Sequence, residues 1–253
     1  MFVNLREVLK VAAPALLTCT AAWVVLLVLP GMVHPYGHDI ESAPVPHAEP
    51  WRMLLALLSS WFLMLAAMMP PAVISPIVYI RSRSFASRRD RSVAIFIGGY
   101  AAVWLVASLV LVAIQIASMS LASKSALGAS TVVSVALVWQ CCPIKQICIN
   151  RCHAHRGLAA FGDAADRDAL RFGVEHGFYC VGSCWALMLV PMLLSFGHLA
   201  AMAIATIFIF ADRMDRPRVP SWRWRGLGPL IRIAASHAGV LFLNLRTART
   251  PRL

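Results

Sequence analysis

Six of the seven cysteines fall in two short windows. The first, WQCCPIKQICINRC, holds Cys141, Cys142, Cys148 and Cys152, and the second, HGFYCVGSCWALM, holds Cys180 and Cys184. Cys148 and Cys152 are four apart, as are Cys180 and Cys184, and His176 stands four before Cys180. Residues at that spacing share one face of a helix, so each window presents a ladder of soft donors. A third ladder, Met64 and Met68, lies in WFLMLAAMMPP. Thiolates and thioethers select soft metals, Cu(I) first, with zinc and iron–sulfur centres as competitors. Charge favours Cu(I) further. Zinc on four thiolates leaves two negative charges, Cu(I) on two leaves one, and buried charge in a bilayer is costly. Lys145, one turn from Cys141 and Cys148, is the expected balancing cation, and a neighbouring Lys also eases thiol deprotonation.

These donors must be positioned inside a membrane. The chain has 253 residues, is 60% hydrophobic and only 13% charged, and has a mean hydropathy of +0.73. A soluble domain is nearer half apolar and a quarter charged. A spanning helix needs about 20 apolar residues, and six stretches meet or approach that length. They are Val11–Met32, Met53–Ile80, Val93–Ala117, Thr131–Ile149, Phe172–Leu194 and Phe196–Ala211. The expectation is an all-α polytopic membrane protein of about six spans, the first an uncleaved span rather than a signal peptide. Residues 1–212 form the membrane domain. Residues 213–253 form a basic tail, with an interfacial helix over Leu227–Leu245.

Charge orients the spans. The net charge is +12, from 23 Lys and Arg against 11 Asp and Glu. With six spans, all basic residues but Arg52 and Lys124 fall on one side. By the positive-inside rule both termini are then cytoplasmic. This one-sided excess accounts for the charge without nucleic acid, and the lipid bilayer is the expected partner. Trp222 and Trp224 among the tail arginines read as interfacial anchors.

On straight helices, Cys141 stands about 15 Å above Arg151, Cys180 about 13 Å and Cys184 about 20 Å above Arg171, and Met68 about 20 Å above Arg81. The three ladders therefore overlap in height. Competing with ligation is plain packing, because Gly173, Gly177, Cys180 and Cys184 also form the small-residue stripe that lets membrane helices approach closely. Methionine likewise fills cores, and Cys19, alone in the first span, reads as filler. In the outer loop, His34, His38, His47, Asp39, Glu41 and Glu49 read as a solvated Pro-rich loop. His153 and His155 beside Cys152 read as loop polar residues.

The two cysteine windows resemble a bacterial family of predicted metal-binding integral membrane proteins of unknown function. Matching positions run from Gln140 through Pro143 and Lys145 to Cys148 and Cys152, and from His176–Gly177 through Cys180, Gly182, Cys184 and Trp185 to Met188. Weaker elements are Ala67–Met68–Met69 with Pro71, and Gly99–Tyr100 with Val103–Trp104. The chain departs from the family pattern at Trp139, where the family has Tyr, and at Ser183, where it has Cys. The resemblance implies metal binding with a copper connection.

The resulting expectation is a protein of the bacterial inner membrane that handles Cu(I), with zinc as the competing metal. It would transport copper or deliver it for cuproenzyme assembly, with a copper chaperone or a cuproenzyme as partner. Cys148, Cys152, Cys180 and Cys184 are the expected ligands, His176, Met64 and Met68 auxiliary ones, and Lys145 the charge-balancing residue. A transmembrane thiol–disulfide carrier and a non-catalytic structural subunit are the alternatives. No phosphate-binding loop, nucleophilic triad or paired-carboxylate motif argues for an enzyme.

Overall fold

A computed structural model describes residues 5–29, 50–122, 127–194 and 197–224, with isolated positions at 228, 231, 232 and 235. The outer-loop histidines and nearly all of the expected tail helix lie outside these residues. The described residues form helices and no strand, as an all-α chain should. They are α1 (Leu5–Val28), α2 (Pro50–Met68), α3 (Pro70–Arg83), α4 (Arg89–Ala122), α5 (Leu127–Cys141), α6 (Pro143–Cys152), α7 (Gly162–Leu193) and α8 (His198–Met214). Each expected apolar stretch coincides with one helix or with one bent pair. Two helices, over 7–28 and 86–118, are long and apolar enough to cross a membrane, and up to four if each bent pair is one span. Leu17, Val106, Val138 and Phe178 are more than half exposed, as lipid-facing side chains are.

Prolines break two of the stretches. Between α2 and α3, and between α5 and α6, the axis turns by 62°. Proline lacks the N–H that a helix donates four residues back. Pro71 thus releases the carbonyl of Ala67, which accepts instead from Trp23 Nε1 at 3.1 Å and from Cys19 Sγ at 2.9 Å. Cys19 is therefore more than filler: it closes a broken backbone from α1. Pro143 likewise releases the carbonyl of Trp139, which takes the Cys142 N–H at 3.1 Å. The bend also means that Cys141 does not stand at its straight-helix height above Arg151.

α7 runs through the centre, and its most extensive packing is on α4. Gly173 makes this possible, since a Cβ there would stand 2.2 Å from the carbonyl oxygen of Phe96. The central core combines Trp61, Met64, Met68, Tyr100, Trp104 and Met188 with Cys180 and Cys184. A smaller cluster at the basic end joins Val11, Ile77, Ile80, Phe96 and Phe172. Ion pairs lace that end together. Arg81 holds Glu7 and Asp90, Arg88 and Arg91 hold Asp166, and Arg156 and Arg171 share Glu175.

Candidate metal centre

The α7 ladder is buried along its length: Cys180 is 0% exposed, Cys184 1% and His176 4%. Around the Cys180 sulfur the structure collects a thioether, a phenol and a guanidinium. Met69 Sδ lies at 3.9 Å, Tyr100 Oη at 3.3 Å, and Arg213 Nη2 donates to Cys180 Sγ at 3.0 Å. The same Arg213 nitrogen donates to Ser183 Oγ at 3.2 Å, and Ser183 donates to the Cys180 carbonyl at 2.7 Å. Cys184 Sγ donates to that carbonyl at 3.0 Å. Arg213 also lies against the Cys152 thiol, which brings α6 to the cluster. Cys148 packs where Gly182 leaves room, its sulfur 2.7 Å from the position a Cβ would take.

The cation at the thiols is thus Arg213, which the sequence reading placed among the tail charges. Lys145, expected to balance the thiolates, is instead fully buried against Asp212, with Nζ 2.5 Å from Oδ2, and also donates to Gln140. The two neighbouring α8 residues therefore divide the work. Asp212 neutralises the lysine of α6, and Arg213 faces the thiols of α7 and α6. A carboxylate at the end of an apolar stretch was the available signal, because a buried lysine needs an anion to offset its desolvation. Met64 and Met68 are buried in the same core, but the thioether in contact with Cys180 is that of Met69, at the break between α2 and α3.

His153 acts as a tie. Its Nδ1 lies 2.9 Å from the Ile149 carbonyl and its Nε2 2.9 Å from that of Arg213, so it fixes the end of α8 to α6. His155 lies on the Tyr79 ring, with centroids 4.4 Å apart, and burial holds its pKa below the ordinary imidazole value. His176 sits among the rings of Phe96, Tyr100 and Phe172, each about 6 Å away between centroids. Its Nε2 is buried with no hydrogen-bond partner among the described residues. Leaving such a group unpaired costs about 1–3 kcal/mol.

Among the described residues, no three His, Cys, Asp or Glu side chains converge as a metal-binding group. A low-coordinate thiophilic ion needs only two sulfurs. Two sulfurs each about 2.3 Å from a first-row metal lie about 4 Å apart at a trigonal angle, close to the 3.9 Å between Cys180 and Met69. A cleft of about 610 Å³ between α1, α2, α3 and α4 is lined in part by Met69, Tyr100 and Trp104, which brings open space to the edge of this pair.

Residues 58–236 match the family model of PpoB2, a copper chaperone. The chain belongs to the PpoB2 copper chaperone family. The matched segment contains α3 to α8, and with them Met69, Cys180 and Arg213. Membership makes the role of this protein copper-related. No curated protein and no solved structure matches the chain significantly.

Proposed function

We propose that this PpoB2-family protein carries Cu(I) as cargo within the bacterial inner membrane and hands it over for cuproenzyme assembly. In this reading six spans cross the membrane, the bent pairs each count as one, both termini are cytoplasmic, and the basic tail after α8 lies along the inner surface. Cys180 and Met69 hold the ion. Cys184, Cys152 and Cys148 are thiols to which it can pass, and Met64 and Met68 extend the sulfur lining. Arg213 is the fixed counter-charge. A Cu(I)–thiolate is neutral, and a second thiolate makes it an anion that the guanidinium offsets. Low charge and low coordination favour Cu(I) over zinc at this depth.

The observation that carries this reading is the buried Cys180 sulfur, placed between the Met69 thioether and the Arg213 guanidinium. Anaerobic titration of the detergent-purified chain against Cu(I) and Zn(II) tests it. One tightly held Cu(I) per chain is expected, lost in Cys180→Ser, with zinc bound weakly or not at all. Tight zinc with no Cu(I) uptake would overturn it.

A further inference from the structure

Below the Cys180 pair, at the basic end, lies a small polar cavity of about 190 Å³. Arg151, Arg156, Phe172, Glu175, His176 and Tyr179 line it. Its charge is lopsided. Glu175 is shared between Arg156 at 2.5 Å and Arg171 at 3.1 Å, while exposed Arg151 makes no ion pair among the described residues. At its inner end stands His176, buried, with Nε2 unpartnered. One helical turn further along α7, about 6 Å of rise, is Cys180. Tyr100 spans the gap, its ring 6.0 Å from that of His176 and its hydroxyl 3.3 Å from Cys180 Sγ.

We infer that this cavity is an exchange port at which Cu(I) bound to a small carboxylate-bearing thiol is admitted to, or leaves, the buried site through His176. The inference rests on the cargo reading above and adds the class of carrier and the route. A two-thiolate Cu(I) complex is an anion, and carboxylates on the carrier add to its charge, so the arginine-rich mouth draws it in. At about 190 Å³, the cavity has the size of a thiol head group rather than of a folded domain. Inside, the imidazole nitrogen offers a neutral ligand. One carrier Cu–S bond breaks as a Cu–N bond to His176 forms. The first carrier leaves as a thiolate; the second Cu–S bond then breaks as copper bonds to Cys180 Sγ, the Cys180 thiol proton passes to that departing sulfur, and the Cu–N bond gives way to the Met69 thioether. Copper stays Cu(I) throughout, and charge balances.

Stopped-flow mixing of the anaerobic full-length chain in detergent tests this, with Cu(I) supplied either as its glutathione complex or as its acetonitrile complex. Wild type is expected to take copper from the glutathione complex at a rate that falls with salt. Arg151→Glu, an exposed position with no ion pair among the described residues, should slow that reaction about tenfold or more without slowing the reaction of the acetonitrile complex, which is a cation. His176→Phe should slow both. Each variant should reach the wild-type copper stoichiometry at equilibrium. Equal glutathione-complex rates in wild type and Arg151→Glu, with the wild-type stoichiometry retained, overturn the port and leave the cargo site standing. Failure of wild type to bind copper from either donor overturns the cargo site, and the port with it.

Discussion

Replacing Arg213 by Ala removes the cation from the proposed copper site without touching a sulfur. Arg213 Nη2 donates to Cys180 Sγ at 3.0 Å and to Ser183 Oγ at 3.2 Å. The bond to sulfur matters most when sulfur is a thiolate, that is, when the metal is bound. A hydrogen bond to a charged partner contributes about 1.5–3 kcal/mol, and each 1.4 kcal/mol is about a tenfold change in affinity. Loss of Arg213 should therefore weaken Cu(I) binding about ten- to a hundredfold, within the range found for residues that support metal ligands. Arg213→Lys keeps the charge but loses the planar fork, so it should fall between wild type and Arg213→Ala. The assay is competition for Cu(I) against a chromophoric chelator in anaerobic detergent solution. Unfolding of the copper-free protein, followed in parallel, should move less than that of the copper-loaded protein. Wild-type copper affinity in Arg213→Ala would refute the reasoning, because the thiolate would then need no counter-charge.

Three further outcomes follow from the packing and the ion pairs. Lys145→Met strands Asp212 as a buried unpaired charge and should cost about 3–5 kcal/mol. Lys145→Met with Asp212→Leu should recover most of that loss in thermal or denaturant unfolding. Gly173→Ala drives a Cβ into the Phe96 backbone and should destabilise by about 1–3 kcal/mol or more, whereas Gly98→Ala, with nothing within 4 Å, should be neutral or slightly stabilising by helix propensity. Asp166 is held below the usual carboxylate pKa first by its bond to Arg88 and then by the charges of Arg88 and Arg91. Because the folded pKa is the lower one, its contribution is present above the ordinary Asp value, about 3.9, and is lost as pH falls through the folded value. Thermal unfolding against pH should therefore show wild type above Asp166→Asn at neutral pH and the two converging below about pH 4.

The sequence carried the helical framework far, because apolar length alone marks helices in a membrane chain. The stretch at Val93–Ala117 falls inside α4, and Phe172–Leu194 matches the end of α7 to within one residue. The four-residue spacing of His176, Cys180 and Cys184 placed those side chains on one buried face, since that spacing is a local property of a helix. Long-range pairing was harder to read. Pro70, Pro71 and Pro143 stand inside two of the expected stretches, but their positions do not give the 62° turns that make Met69, rather than Met64 or Met68, the thioether against Cys180. Arg213 looked like one more cytoplasmic charge, because its place next to the end of an apolar stretch is where the positive-inside rule puts arginine. Only folding shows that its long side chain turns back onto α7. Cys19 gave no signal, because its role depends on a carbonyl released 48 residues away.

Copper K-edge absorption on the anaerobically loaded protein tests the central claim most directly. The account predicts a Cu(I) edge and a shell of two or three sulfurs at about 2.3 Å, absent in Cys180→Ser. A four-coordinate shell of nitrogen and oxygen, or the same sulfur shell in Cys180→Ser, would contradict it.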